Sequence, residues 1–310
     1  MSGLLSSLRL QRGILRERGL RGALRLNTVM LSAQLASWRV RNKDYYREIS
    51  ETELRALKSS QRAFVFGSGY SLNDITREEW REMSERNTIG FNAFVHQQWI
   101  KVDFHLVRGW GEASGPDVSV REAVEKFGSL VTANPLYHDT VFICQDDYTA
   151  VFAHRLMSYR GLTKGARVFR YHTNRTRLLP TRTFSDGLVH GTGTLCDAVD
   201  FAACMGFTEI VLVGVDLYDS QYFWLDPAKT IAVDYETGEW IVRDTTDRGQ
   251  RFDEPHSTAT NGVVELMATW HNNLREHGIQ LSVYNPKSLL ADVMPTYERG
   301  RSSDSRRHVV

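Results

Sequence analysis

The sequence lacks the features that would place a protein across a membrane or in an oxidising compartment. No apolar run approaches the roughly 18 residues that a membrane-spanning helix needs. The N-terminus also lacks the compact apolar block of a secretory signal. The 310 residues include an odd number of cysteines without Cys-x-x-Cys spacing, namely Cys144, Cys196 and Cys204. Such cysteines are typical of reduced core residues, so we expect a cytoplasmic protein.

Common nucleotide and metal motifs are missing as well. There is no Gly-x-x-x-x-Gly-Lys-[Ser/Thr] loop and no His-Glu-x-x-His pair. Gly67-Ser68-Gly69 begins a Gly-x-Gly-x-x-Gly pattern, but Leu72 stands at its third glycine. The next strand ends in GFNAF, with Asn92 where a dinucleotide site has an acid. We therefore expect neither a P-loop ATPase nor a dinucleotide enzyme, and no cofactor or metal site.

Acidic residues are scarce at the N-terminus. Residues 1–43 hold eight Arg and one Lys against the single acid Glu17, a net charge of +8, whereas the whole chain is +1. On a helical wheel the leucines and the arginines separate (Leu4, Leu8 and Leu15 against Arg9, Arg12 and Arg16). This favours an interfacial helix on the inner face of an anionic membrane. A solvated arm, a helix packed on the body and a transit peptide remain alternatives.

From Arg62 onward, β-rich runs alternate with helical patterns. The predicted strands are 64–67, 87–94, 101–107, 129–135, 140–145, 166–171, 209–218 and 279–286. The predicted helices are 194–205, opening with a Thr-x-x-Asp capping box, and 258–277. The run IVLVGV is apolar throughout, as in a strand covered on both faces. The alternation predicts a doubly wound, mostly parallel α/β sheet of Rossmann-like type.

Two regions interrupt this alternation. Gly109 to Asp117 is glycine-rich and predicted to be a loop. Residues 219–255 carry an aromatic cluster and then a predicted hairpin with Thr237-Gly238 at its turn. A long insertion after a central strand is typical of a functional lid. We therefore expect a basic arm (1–43), a catalytic α/β domain (44–296) that includes the lid, and a disordered tail (297–310).

The glycine turn at Gly67–Ser71 lies between a predicted strand and a helix predicted to start at 74–76. Backbone N–H groups at such a turn, with a helix dipole behind them, can hold a phosphate. A tight strand–helix connection without a ligand would have the same sequence signature. The turn alone therefore indicates an anion site only weakly.

Four ordered segments together resemble the bacterial sialyltransferases that cap lipooligosaccharides. These are GSGYSL, GFNAF, GTGTLCDAVDFAACMGFTEIVLVGVDLYDSQYF and the stretch from PHSTAT to NPKSLLADVMP. The resemblance covers about Phe64–Phe94 and Gly191–Pro295, and it is absent from the arm. Ser68 and Tyr70 stand where that family has Asn and Pro, and Arg108 stands near a further family Asn.

The resemblance implies a GT-A-type variant of the fold that transfers a nonulosonic sugar from a CMP donor, with inversion and without a metal. It implies that Tyr218 and Tyr222 donate to the departing phosphate and that His256 takes the acceptor proton. It also implies a nucleotide-sugar site, formed by Gly67, Ser68, Gly69, Ser71, Asn92, Arg108, Thr192, Gly193 and Asp216. The expected partners are a CMP-activated nonulosonic acid and a glycan or glycolipid acceptor, with no nucleic acid. Because the family is often oligomeric, homo-oligomerisation is expected too.

These residue types suit that chemistry. Phenol donors stabilise charge that develops on a departing phosphate, and histidine suits general-base work near neutral pH. Each residue also has a structural alternative. The tyrosines could anchor the lid by packing, His256 could serve the start of a helix, Asn92 could cap a strand end, and Asp216 could order local backbone.

Two other functions remain open on the sequence. A pterin diphosphokinase would share the glycine turn and the VGVDL strand end, and would need ATP and Mg²⁺. A non-catalytic relative would bind a nucleotide without turning it over. The PHST and NPKSLLA segments favour the sialyltransferase-like interpretation.

Overall fold

A parallel eight-stranded sheet is the centre of the computed structural model of this chain. The structure describes residues 2–40, 46–108, 117–158, 162, 165–233, 240–244 and 255–298, with the backbone alone for 2–19, 117–119 and 230–244. The sheet strands run in the order β1-β6-β5-β4-β3-β2-β9-β12. Their bounds are β1 Tyr46–Glu48, β2 Arg62–Phe66, β3 Asn87–Phe91, β4 Phe104–Val107, β5 Val141–Gln145, β6 Ala166–Tyr171, β9 Glu209–Val213 and β12 Gln280–Val283. This confirms the predicted Rossmann-like α/β class.

Helices cover both faces of the sheet, which is why central strands such as β2, β4 and β9 are mostly apolar. Their bounds are α1 Ser2–Arg39, α2 Glu51–Arg55, α3 Arg77–Ser84, α4 Asp117–Ala133, α5 Val151–Ser158, α6 Thr194–Cys204, α7 Ser257–Thr260 and α8 Val263–Glu276. One buried cluster joins the sheet to α6 and α8. The other joins it to α3, α4 and α5. None of the helices in the described part of the chain combines the length and apolar composition needed to cross a bilayer.

Two small additions lie outside the main sheet. β7 Thr173–Asn174 pairs in parallel with β8 Leu188–Val189. Within the 219–255 insertion, β10 Lys229–Val233 pairs antiparallel with β11 Trp240–Asp244, which confirms the predicted hairpin. The predicted turn at Thr237-Gly238 lies outside the described residues, as does the predicted loop at 109–117 except for Asp117, which begins α4.

The predicted strand at 129–135 is wrong, because residues 129–133 end helix α4 and Pro135 begins a 3₁₀ turn. The core contacts of α4 come from Val120, Val124, Phe127 and Val131, all buried. This is helical spacing, and the run Ser129–Thr132 is too short for periodicity alone to distinguish a strand from a helix end. The predicted helix 258–277 is divided at Gly262, whose φ of 83° separates α7 from α8.

The N-terminal arm matches one stated alternative, a helix packed on the body, whereas the start of the predicted tail needs correction. The arm forms one long helix, and residues 23–37 pack on α5 through Ala23, Met30, Ala33 and Ser37. Tyr297 belongs to the body, because its N–H donates to the Val283 carbonyl and its hydroxyl accepts from Arg62. Residues 299–310 lie outside the described part of the chain.

His105 on β4 predicts acid-sensitive stability. Its side chain is fully buried, and burial lowers its pKa to about 3. Below pH 6.5 the unfolded chain binds a proton at this histidine that the folded protein does not, so the free energy of unfolding falls as the pH drops. We expect this one group to account for about 2 kcal/mol of lost stability between pH 7 and pH 5.

Urea unfolding of the wild type and of His105→Phe at both pH values measures this contribution. Phenylalanine keeps an aromatic ring beside those of Phe127 and Phe142, whose centroids lie 5.7 and 6.4 Å from that of the imidazole, and removes the titrating group. The variant should lose about 2 kcal/mol less than the wild type on acidification. Equal losses in the two proteins would contradict the assignment.

Candidate functional site

The site lies at the carboxyl edge of the sheet, between β2 and β9. The strand order reverses there, since β3, β4 and β5 extend to one side of β2 and β12 lies beyond β9. Loops that leave neighbouring strands in opposite directions open a crevice at such a point, where ligands of α/β proteins bind. The predicted site residues after β2 and β9 meet here.

Close approach of two backbones explains the glycines. The N–H groups of Gly67 and Gly69 donate to the carbonyls of Val213 and Gly214, both at 2.8 Å. A Cβ at position 69 would lie 2.3 Å from Oδ2 of Asp216, and one at position 67 would lie 2.5 Å from the Gly214 oxygen. Only glycine allows the turn to pack this closely on the end of β9.

The same contacts occupy the N–H groups that were expected to hold a phosphate. Besides Gly67 and Gly69, Ser71 donates its N–H to Asp216 at 2.9 Å. A 3₁₀ turn over Tyr70–Asp74 follows, and α3 begins only after Thr76, whose side chain caps it. The glycine turn is therefore held by β9 rather than aimed at a ligand by a helix.

Asp216 joins three segments of the chain. The carboxylate is buried and accepts from the N–H and hydroxyl of Ser71 and from the side-chain amide of Asn285, the last at 2.9 Å. Asn285 begins the NPKSLLA segment, in which Ser288 donates to the Val215 carbonyl at 2.6 Å. With these bonds, Asp216 orders the local backbone, which was one of its two predicted roles.

Tyr222 and His256 form a hydrogen-bonded pair at the crevice, with 2.9 Å between the tyrosine hydroxyl and Nε2 of the imidazole. Tyr222 pairs through its backbone with Gly69. The His256 N–H donates to the Leu217 carbonyl just after β9, also at 2.9 Å. Tyr222 and His256 are 34 positions apart in sequence, and these backbone bonds bring them together beside the glycine turn.

The bonds of His256 define its protonation state. Nδ1 accepts from the N–H of Thr258 at 3.1 Å and so carries no proton. Burial lowers the pKa of His256, so the ring is neutral and its single proton is on Nε2, which donates to Tyr222. The phenol proton of Tyr222 is then free to point into the crevice. Burial also raises the pKa of Tyr222 to about 12, which keeps this phenol protonated.

Tyr218 is the second tyrosine of the site. Burial and the nearby Asp216 and Asp219 raise its pKa to about 12, and its side chain hydrogen-bonds Asn285. Leu217 before it has a φ of 65°, a left-handed conformation that branched residues rarely adopt. The surrounding bonds hold this strained turn and fix the direction in which Tyr218 leaves β9.

Asn92 and Thr192 carry polar atoms without partners. Within the described residues, Oδ1 of Asn92 and Oγ1 of Thr192 are buried and accept no hydrogen bond. Asn92 follows β3 with a φ of 48°, and Thr192 precedes α6, so both stand at the carboxyl edge. A buried polar atom that is left unpaired in this way costs about 1–3 kcal/mol unless a ligand pairs it.

A second polar cluster surrounds Asp197, which has no exposed surface. One of its oxygens accepts from Arg108 at 3.2 Å and from the Tyr171 hydroxyl at 3.3 Å. The other is 2.6 Å from Nδ1 of His190. The predicted capping box of α6 does not form, because Asp197 makes these bonds and the cap residue Gly193 has no side chain.

His190 and Asp197 were missed by the sequence analysis, although Arg108, Thr192 and Gly193 were named. The spacing His190-x-Thr192-Gly193-x-x-x-Asp197 in VHGTGTLCD could have indicated them. His190 lies in the loop before α6 and Asp197 in the first turn of α6, so this spacing brings the two side chains together. A Cβ added at Gly193 would lie 3.6 Å from Cγ2 of Thr258, so the Asp197 cluster adjoins the His256 segment.

Within the described ranges, no three His, Cys, Asp or Glu side chains are grouped closely enough to hold a metal ion. The fold and site define an α/β protein with a polar crevice at its strand-order reversal. A scan of protein families found no model that matches the chain, and a search of curated proteins found no match.

Proposed function

We propose that this protein is a glycosyltransferase that moves a sialic acid-like, nonulosonic sugar from a CMP donor to a cell-surface glycan or glycolipid. The observation that carries the proposal is the Tyr222–His256 pair at the β2/β9 crevice. It joins two segments that the resemblance predicts to act together. His256 holds the Tyr222 oxygen, and the free phenol proton is available to a phosphate oxygen.

The N-terminus of α6 could accept an anionic group of the donor. The N-terminus of α6 has no side-chain cap, and its positive dipole end adjoins Thr192 and Arg108. A CMP-activated nonulosonic acid carries both a phosphate and a carboxylate. We propose that Asn92, Thr192 and Arg108 contact this donor through atoms that are unpaired or partly exposed in the free protein.

The proposed reaction is one displacement at the anomeric carbon, with inversion. The bond from that carbon to the phosphate oxygen of CMP breaks, and the electron pair leaves on CMP. Tyr218 and Tyr222 donate hydrogen bonds to the developing charge. The acceptor oxygen forms the new bond, and its proton passes to a histidine. Of the two histidines at this edge, His190 has a ring nitrogen, Nε2, that no hydrogen bond occupies in the described structure, whereas both nitrogens of His256 are bonded.

Binding and release of CMP test the proposal. The protein should bind CMP by calorimetry and release CMP from CMP-sialic acid in the presence of EDTA. Tyr222→Phe should lower the release rate by about tenfold or more, because one donor to the departing phosphate is lost. Tyr297→Phe is the matched control, since this phenol contacts Arg62 at the opposite edge of the sheet and should leave the rate unchanged.

Two outcomes would overturn the proposal. Stabilisation by ATP with Mg²⁺ but not by CMP would select the diphosphokinase alternative. CMP binding without release, unaltered in Tyr222→Phe, would indicate a non-catalytic relative.

A further inference from the structure

Helix α1 carries an apolar stripe on its outer face. Of the eight large apolar side chains that are exposed in the described residues, five lie on this helix, each 42% to 65% exposed: Leu20, Leu24, Leu31, Leu35 and Trp38. At 3.6 residues per turn they fall within an arc of about 60°. Scattered single apolar residues need no explanation, but an aligned row of five marks an interaction surface.

The opposite side of the same helix is fixed to the body. Ala23 and Met30 pack on Tyr148 and Val151. The Ser37 hydroxyl bonds to Nδ1 of His154 at 3.0 Å, and Arg155 donates to the Ser32 hydroxyl at 2.9 Å. The stripe is therefore not the face that stabilises the fold, and it is held in one orientation relative to the sheet.

Positive charge borders the stripe. Arg21, Arg25 and Arg39 are exposed and project from the helix to one side of the leucines. Residues 18–43 include no Asp or Glu. An apolar row beside arginines, with no acid to repel phosphate, is the pattern of a helix that lies in the surface of an anionic bilayer.

We propose that the 20–38 face of α1 binds the surface of an anionic lipid bilayer while the rest of α1 stays packed on α5. This differs from a free amphipathic arm, because the body itself is then docked in a fixed orientation. It does not depend on the proposed glycosyl transfer.

The position of α1 relates this surface to the crevice edge. The Tyr148 hydroxyl donates to the Asn27 carbonyl at 2.9 Å, and Tyr148 lies in the loop that leaves the carboxyl end of β5. The side-chain amide of Gln145 donates both to the neighbouring Asp147 and to the Thr173 hydroxyl. The same hydroxyl accepts from Arg108. Helix α1, which carries the lipid-binding face, therefore contacts the body at the carboxyl edge of the sheet. The candidate site lies at this same edge.

Vesicle co-sedimentation of the full chain tests the proposal. The wild type should bind vesicles of phosphatidylcholine with phosphatidylglycerol, and should bind phosphatidylcholine vesicles or high-salt samples much less. Leu24→Gln/Leu31→Gln/Leu35→Gln should weaken binding by about tenfold or more, because three inserted side chains are lost. Leu178→Gln is the control, since Leu178 is 78% exposed but lies on the body outside α1.

Circular dichroism and size-exclusion chromatography of each variant separate loss of binding from loss of fold. The proposal is supported when the folded triple variant no longer binds and Leu178→Gln binds as the wild type does. Unchanged vesicle binding by the triple variant would overturn the assignment to this face. A wild-type dimer that becomes monomeric in the triple variant, with no vesicle binding by either, would show that a second copy covers the stripe instead.

Discussion

Asp200→Ala should lower the free energy of unfolding by about 3–5 kcal/mol, among the largest effects expected of a single substitution. Asp200 lies on α6 and has no exposed surface. Its carboxylate accepts the N–H groups of Thr181 and Val189, both at 2.8 Å, and that of Arg182 at 3.3 Å. Alanine leaves these donors without their acceptor in the buried interior of the protein.

The expected loss of unfolding free energy follows from the number of buried N–H groups that lose their acceptor in Asp200→Ala. Each buried donor that is left unpaired costs about 1–3 kcal/mol, and the two short bonds alone account for most of the expected loss. Burial raises the pKa of Asp200 to about 6. Burying this carboxylate costs free energy, but its hydrogen bonds hold residues 181–189 against α6. This segment ends immediately before His190.

Equilibrium urea unfolding at pH 7 measures the effect. Asp186→Ala is the matched control within the same segment, since its exposed pair with Arg177 contributes only about 0–1 kcal/mol. Asp200→Asn keeps one acceptor oxygen and should fall between the wild type and the alanine variant. A loss below about 1 kcal/mol in Asp200→Ala would contradict the role we assign to these bonds.

The sheet could be predicted because its signals are local. Runs such as IVLVGV are apolar over the length of a strand and are bounded by glycine and polar residues. The end of α4 was mistaken for a strand because the four residues Ser129–Thr132 are too few to distinguish a helical from a strand hydrophobic period. The length of α1 could not be predicted from Gly13, Gly19 and Gly22, which disfavour a free helix. Packing on α5 stabilises the helix over residues 23–37, which follow these glycines.

The site could be predicted in part. The resemblance placed Tyr222 and His256 in the same site, and the structure puts them 2.9 Å apart. It could not reveal that the N–H groups of the glycine turn are taken by β9, because that depends on strands more than 140 residues apart in sequence meeting side by side. For the same reason, the sequence did not reveal that Asp197 bonds to Arg108 after β4, to Tyr171 on β6 and to His190 before α6.

The two histidines at the carboxyl edge are in opposite hydrogen-bonding states. His256 accepts at Nδ1 and donates from Nε2, so neither nitrogen can take a proton until the Thr258 bond breaks. His190 places Nδ1 against the buried Asp197, and no described hydrogen bond occupies its Nε2, which carries a lone pair when the ring is neutral. About a third of the His190 side chain is exposed. A histidine oriented by a buried carboxylate, with its second nitrogen accessible, is the arrangement of a general base.

His190→Gln should therefore lower CMP release from CMP-sialic acid by about 10²–10³-fold while CMP binding is retained. His256→Gln should lower it by about tenfold, because its effect is limited to the position of the Tyr222 phenol. Added imidazole should restore part of the activity of His190→Ala and none of that of His256→Ala, since only a missing base can be replaced from solution. This rescue distinguishes a base from a residue that merely supports the fold.

The opposite result has a clear structural meaning. Rescue of His256→Ala by imidazole, with His190→Gln active, would mean that ligand binding breaks the Thr258 bond and frees Nδ1 of His256. The Asp197 cluster would then serve to hold Arg108 and α6 in place. CMP binding separates both results from a failure of the proposed function, because a protein that never binds CMP cannot report on either histidine.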